Sequence, residues 1–462
     1  MGTQRLIPLW TDSSIWTDLA IKNRGSLDDD LQCDVAIIGA GYSGLWTAFY
    51  LKTLSPDLRI CVLEKQTVGF GASSRNGGWC SGFLPVSLGE LAQTHGKSAA
   101  IETYREAFQT LDEIENFLSD HQLDVDYHRG GTITGATNAV QKDRIENELN
   151  EMRSFGFGEE HSRILSSKEL STRLNIDGLT TASYTPHCAA IHPAKLVTGL
   201  ARVVEQLGVK IFENSAVVEY SSGQIKTESN VCSAPIIVRA TEGFTARIKN
   251  HRRTMAPLYS YMVATAPLSS SQLTSLGWSN RETYHDARNM IIYAQLTRDN
   301  RIAFGGRGAP YHFASRVKPE FDLHEEIHKK IIRSLNQVFK ITQEVEITHR
   351  WGGPLGVPRD WRPAVNFDRN SGLGSLGGYV GDGVAASNLA ARTMAHLILS
   401  DGHPLCELPW VNHPSRKWEV EPLRYLGING LLRIAESIDE HEARTNQPDK
   451  FRTFIIDKFL GD

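Results

Sequence analysis

The stretch from Asp34 to Glu64, DVAIIGAGYSGLWTAFYLKTLSPDLRICVLE, constrains this chain more than any other. Val35 to Ile38 is a short, unbroken apolar run, the pattern of a strand buried on both faces. Gly39, Ala40 and Gly41 make a tight turn; Tyr42 and Ser43 open the following helix, and Gly44 lies inside it. A G-x-G-x-x-G at a strand-to-helix junction presents unpaired backbone N–H groups and the positive end of a helix dipole to a pyrophosphate. Gly39 permits the turn, Gly41 lets a phosphate approach the backbone, and Gly44 lets helix and strand pack closely. A second apolar run, Ile60 to Leu63, ends at Glu64 and Lys65. A carboxylate there accepts hydrogen bonds from ribose hydroxyls and repels a 2′-phosphate. Strand, turn, helix, strand and acid in this order predict dinucleotide binding.

Directly after this unit comes VGFGASSRNGGWC, Val68 to Cys80. Gly69, Gly71, Gly77 and Gly78, together with Ser73, Ser74, Arg75 and Asn76, cannot form regular structure and predict a loop rich in backbone donors. The Arg75 guanidinium suits a phosphate. A nicotinamide enzyme has no evident use for a second such loop; a flavin, whose pyrophosphate and ring both need cradling, does.

GAGYSG, the terminal Glu64 and GFGASSRNGG together resemble the FAD-dependent D-amino-acid oxidase superfamily. Within it the likeness is greatest to the branch of gamma-glutamylputrescine oxidoreductases and putative aminophosphonate oxidoreductases. The resemblance implies an α/β chain, α+β overall, with a doubly wound FAD-binding Rossmann-type domain interleaved with a mixed-sheet substrate domain. The expected segments are an arm over 1–32, FAD-binding parts at 33–90, 191–253 and 349–402, substrate parts at 91–190 and 254–348, and a helical cap over 403–462. The loop from Ser73 to Gly78 would contact FAD, and backbone near Val217 would lie beside the adenine. The turn Ala240-Thr241-Glu242-Gly243 would pack beneath the cofactor. Relatives commonly have asparagine where this chain has Glu242, so only a backbone role carries over. Gly381-Asp382-Gly383-Val384, at a helix N-terminus, would face the pyrimidine end of the flavin. Asp382 replaces a common histidine and is expected to point away from the ring. FAD is expected to be non-covalent, although Cys80 follows the glycine loop closely.

A chain of 462 residues exceeds one hydrophobic core, so two domains are expected. Net charge is −4, which offers no basic excess for nucleic acid. No long uncharged apolar segment predicts a membrane span, and MGTQRLIPLWTDSS has no apolar signal core. Six scattered cysteines without a C-x-x-C pair read as thiols in a reducing compartment, which points to the cytoplasm. The sequence does not set the oligomeric state.

Helices are predicted over Ile101–Leu118, Val140–Phe155 and Ala194–Leu207 from apolar spacing, and strands over Leu258–Ala264 and the hairpin Met290–Leu296/Arg301–Gly305. The first two helices are expected in the substrate domain. His324-Glu325-Glu326-Ile327-His328 spells a zinc-protease H-E-x-x-H, but the histidines lie off the apolar stripe among Glu and Lys, so a solvated helix face is expected. No Ser-His-Asp set, metal cluster or general base follows from spacing. The substrate-facing candidates are Trp79, Tyr259, Tyr261, Arg307, His349 and Trp351, with Arg307, set between glycines, expected to anchor an anionic group. The expected reaction is oxidation of a C–N bond in a small amine or amino-acid-like substrate by hydride transfer to flavin. A nicotinamide dehydrogenase and a non-catalytic flavin-binding module remain open at this level.

Overall fold

The apolar runs at Val35–Ile38 and Ile60–Leu63 form the centre of a six-stranded sheet, each residue in them buried. The computed structural model describes residues 4–19, 22–176, 178–306, 308, 310–339 and 345–460. Across the sheet the order is Ala364–Asp368, Leu373–Gly377, Ile236–Arg239, Val35–Ile38, Ile60–Leu63 and Lys210–Phe212. All pairs are parallel except the one at the edge, Ala364–Asp368 with Leu373–Gly377. Alternation along the strands decides what covers each face. Val35, Ile37 and Val62 meet the helices Tyr42–Leu54, Pro193–Gln206 and Gly383–Leu399. Ala36, Ile38, Cys61 and Leu63 meet a small four-stranded sheet through Ile225 and Cys232.

A second, eight-stranded sheet is mixed. Most neighbours are antiparallel, and Thr283–Asp286 with Thr132–Ala136 is a parallel pair. The predicted hairpin is present as Ile292–Leu296 and Ile302–Gly306. On one face lies the helix Glu325–Val338, held by Ile331, Leu335 and Val338 against Tyr259, Tyr261 and Val263.

The strand Ile347–Val357 belongs to the eight-stranded sheet, paired along Ala256–Thr265, so the chain rejoins the six-stranded sheet only at Ala364, beyond the expected crossing at 349. The helix Lys97–Asp120 reaches both sides: Phe117 meets Trp46 and Phe49 of the first helix edge-on, while Tyr104 and Phe108 pack with Met152 and Phe157.

The arm does clamp onto the body: Leu9 and Trp10 are essentially unexposed. The C-terminal segment forms two helices, Leu423–Thr445 and Lys450–Leu460. No helix among the described residues is long and apolar enough to cross a membrane.

Candidate active site

At the end of the strand Val35–Ile38 the chain turns through Gly39 at φ +108°, where a Cβ would lie 2.5 Å from the Ala240 carbonyl oxygen. Gly44 is required by close packing, since its Cβ would stand 2.0 Å from the Gly39 carbonyl oxygen. At Gly41, the N-cap of the helix, a Cβ would meet Ser73 Oγ at 2.9 Å. That hydroxyl accepts from the Tyr42 N–H at 3.0 Å, so the glycine-rich loop is tied to the first turn of the helix. Glu64 sits as predicted at the end of the second strand. Its two oxygens accept from Ala40 N and Gln66 N, each at 2.9 Å, and burial pushes its pKa up against those bonds.

These features line one side of a cavity of about 300 Å³. Gly39, Gly41, Tyr42, Ser43, Glu64 and Lys65 form its floor. Ser73, Arg75 and Asn76 come from the loop, Val217 from the four-stranded sheet, and Ala240, Thr241 and Gly243 from the next strand end. Gly381, Gly383 and Val384 close it at the N-terminus of the helix Gly383–Leu399. Of the remaining cofactor candidates, Gly44 packs beneath, Ser74 bonds the Gly69 carbonyl at 2.6 Å, and Gly78 turns against Gln295. Gly77 lines a second cavity.

That second cavity, about 490 Å³, lies against the mixed sheet and is lined by Trp79, Ser260, Met262, His285 and Tyr293 among others. The two cavities share a wall made by Ala72, Arg75, Asn76, Leu355, Gly381 and Val384. His285 Nε2 bonds Thr134 Oγ1 at 2.8 Å and presents its ring to the edge of Trp79, while Tyr293 Oη bonds Ser260 Oγ at 2.8 Å.

Several predicted substrate contacts stand elsewhere. Tyr259 and Tyr261 point to the opposite face of their strand, into the core under the helix Glu325–Val338, where Tyr261 Oη donates to the Phe321 carbonyl at 2.7 Å. Ser260 and Met262, their neighbours, face the cavity instead; in a strand a shift of one residue exchanges the two faces. His349 lies on the same face as Met262 and Trp351 but is covered by the arm, its Nε2 3.0 Å from Asp12 Oδ2. Trp351 supports the glycine loop from below, its Nε1 donating to the Arg75 carbonyl at 2.8 Å. Arg307 lies outside the described residues. Trp79 alone of the candidates lines the cavity among the described residues.

Three side chains take places the sequence left open. Arg75 lines both cavities, pairs with Asp322 at 2.5 Å and donates to the Gly352 and Phe70 carbonyls, bracing loop to sheet. Glu242, expected to act through backbone alone, accepts from Gly378 N at 2.6 Å and Gly356 N at 3.1 Å. Buried there, it is pushed up to about 7, the backbone donors opposing the shift. Asp382 lines the second cavity. In the H-E-x-x-H stretch, His324 caps the helix and His328 is buried, its Nε2 3.2 Å from the Trp351 carbonyl, so that face is not solvated. The helix turns His328 to the sheet because Ile331 and Leu335, three and seven residues on, define the inward stripe.

A nucleotide-shaped cleft at the carboxyl ends of a parallel sheet, adjoining a second cavity on a mixed sheet, is the architecture of a two-domain flavin-binding oxidoreductase. The model of the FAD dependent oxidoreductase family matches residues 34–397, and the chain belongs to that family. It is 27% identical over 392 residues to a probable oxidoreductase OrdL of Haemophilus influenzae, covering 83% of this chain and 86% of that one. It is 26% identical over 383 residues to gamma-glutamylputrescine oxidoreductase of Escherichia coli, covering 81% and 86%. Among solved structures, glycine oxidase from Geobacillus kaustophilus superposes with a TM-score of 0.69 at 21% identity, over 83% of this chain and all of that one. Iminodiacetate oxidase from Chelativorans does so with a TM-score of 0.64 at 17% identity, over 82% and 99%. Likeness at that identity shows the shared fold.

Proposed function

We propose that FAD lies in the first cavity and that a small amine is oxidised at its C–N bond in the second. The observation that carries this reading is the shared wall, which brings the cofactor-side loop and the open end of a helix to the edge of a partly aromatic chamber. The residues fit the cofactor: a glycine turn where side chains would collide, a carboxylate at the ribose end, and the helix N-terminus at Gly383 where a reduced flavin would carry negative charge. FAD, when bound, supplies the acceptor for hydride from the carbon next to nitrogen. The chain's own work is to hold the amine against the wall at Asn76 and Gly381, with Trp79, Met262 and Tyr293 excluding water. Cys80 lies in the core, lining neither cavity, and burial pushes its thiol up, which supports non-covalent FAD.

The charged groups around the second cavity favour a cationic substrate. Glu90, Glu148, Glu151 and Asp382 line it, against Arg75, itself paired with Asp322. The relative named gamma-glutamylputrescine oxidoreductase, an enzyme named for an amine, is consistent with this class. All six cysteines are free thiols, which supports a cytoplasmic setting. The test is an anaerobic titration of the purified yellow protein with mono- and diamines and with amino acids. Bleaching of the flavin band by amines is expected. A flavin that dithionite reduces but every amine leaves oxidised would reject the catalytic reading.

A further inference from the structure

Away from both cavities, three cysteines from distant parts of the chain converge. Cys33 precedes the strand Val35–Ile38, Cys61 lies on Ile60–Leu63, and Cys232 on Val231–Ser233. Their sulfurs stand 3.3 Å (Cys33 to Cys61), 3.5 Å (Cys61 to Cys232) and 3.9 Å (Cys33 to Cys232) apart. All three are buried between the cofactor sheet and the four-stranded sheet, among Ala36, Ile38, Leu63, Ile225 and Ile237. Among the described residues no other three side chains of metal-ligating type come together this closely.

We propose that this trithiol binds a trivalent thiophilic element, arsenic(III) or antimony(III), as a neutral pyramidal trithiolate. Ligand number, spacing and charge each favour it. Structural zinc takes four ligands, and no fourth belongs to the cluster among the described residues. With bonds of about 2.3 Å, a pyramid with angles of about 100° sets sulfurs about 3.5 Å apart, against about 3.8 Å in a tetrahedron and about 4.0 Å in a plane. The three observed separations, 3.3, 3.5 and 3.9 Å, average about 3.6 Å, nearest the pyramid. Three thiolates around copper(I) or zinc(II) would leave net negative charge in an aliphatic layer, where unpaired charge is costly. Asp34 and Arg59, at the rim, are paired with each other. A trivalent centre cancels all three charges.

Cys33 is the entry point. Its sulfur stands within 3.9 Å of both others, so an element bound there first can be passed on to them. With arsenous acid and three thiols, three S–H and three As–OH bonds break, three As–S bonds form, and each thiol proton leaves with a hydroxide as one of three waters. No electrons are transferred. The two-residue strand Leu31–Gln32 leads into Cys33, so its opening gives a path, and uptake is slow.

The test uses the purified flavin-bound enzyme, incubated with excess arsenite, freed of excess by gel filtration and analysed for arsenic. One arsenic per chain is expected in the wild type and in Cys406→Ala, with at least a tenfold loss in Cys61→Ala and Cys232→Ala. X-ray absorption on the wild type, which needs no variant to fold, should show three sulfur neighbours and no oxygen. Equal arsenic in wild type and Cys61→Ala, a sulfur–sulfur–oxygen shell, or preferential retention of zinc or copper(I) from an equimolar mixture would overturn the proposal.

Discussion

The indole N–H of Trp351 donates to the carbonyl of Arg75 at 2.8 Å, and the indole of Trp10 donates to the next carbonyl, that of Asn76, at 2.9 Å. Two indoles, one from the mixed sheet and one from the N-terminal arm, thus fix consecutive peptides of the loop that walls both cavities. Replacing either by phenylalanine removes a donor and leaves its carbonyl unsatisfied, at a cost of about 1–3 kcal/mol. Trp351→Phe and Trp10→Phe should each lower the melting temperature and the flavin-to-protein absorbance ratio together. Full flavin content in both variants would make the indoles mere filling.

Gly41→Val separates cofactor binding from folding. Its side chain meets the hydroxyl of Ser73, a contact that a small loop movement relieves, but the movement breaks the tie to Tyr42 N and narrows the approach to the helix. Near-normal melting of the flavin-free protein with flavin content reduced at least tenfold is expected. Gly44→Ala differs, because the obstacle is the backbone oxygen of Gly39 at 2.0 Å. Overpacking of that kind costs about 1–3 kcal/mol or more, so this variant should melt early whether or not flavin is added.

Arg75→Ala would strip Asp322 of its cation. Burial already raises the Asp322 pKa, with Arg75 opposing the rise. Losing one partner of a largely buried pair costs about 3–5 kcal/mol. Reduced stability and reduced flavin retention should appear together, with every substrate affected alike; a KM raised for one substrate alone at normal flavin content would place Arg75 in substrate recognition.

The cofactor side was legible in the sequence because its demands fall on backbone. Gly39 and Gly44 must be glycine for steric reasons that any reader of the spacing can supply, and the strands VAII and ICVL are apolar on both faces because both are covered. The substrate side was not, because its determinants are relative. Tyr259 and Ser260 are adjacent, and nothing in YSYM says which face turns to the cavity until the helix Glu325–Val338 claims the tyrosines. His328 reads as polar, yet its ring finds an acceptor in the Trp351 carbonyl, a contact made across the fold. Glu242 and Asp382 depart from what the family resemblance implies at those places, so analogy could not supply their roles.

Glu242 should give the enzyme a pH-dependent stability. Burial is the largest cause of its raised pKa, about 7 in the fold against an ordinary 4.5, with the N–H groups of Gly378, Tyr379 and Gly356 opposing it. A carboxyl whose folded pKa is raised favours the folded state fully only below the unfolded value. That contribution is lost as pH rises from about 4.5 through about 7. In Glu242→Gln the loss over this window should vanish, although the variant melts lower throughout because an amide N–H then faces Gly356 N. The check is the difference in melting temperature between wild type and variant at pH 5 and pH 8; a difference that is constant with pH would mean Glu242 does not titrate in the window.

The two faces of Ala256–Thr265 should separate by readout. Tyr261→Phe removes the hydrogen bond to the Phe321 carbonyl in the core and should cost about 1 kcal/mol of stability with KM and kcat unchanged. Ser260→Leu adds apolar bulk to the cavity wall and displaces the hydroxyl that bonds Tyr293. It should lower kcat/KM by about tenfold or more while the flavin stays bound, since loss of positioning at the reacting carbon acts on turnover. Ser260→Ala, which keeps the space and loses only the bond, should fall between the two. Steady-state kinetics on the first amine found to bleach the flavin, paired with thermal melts, decides the matter. If Tyr261→Phe raises KM at unchanged stability while Ser260→Leu is silent, the strand presents the opposite face to substrate and the cavity against Ser260 is not where the amine binds.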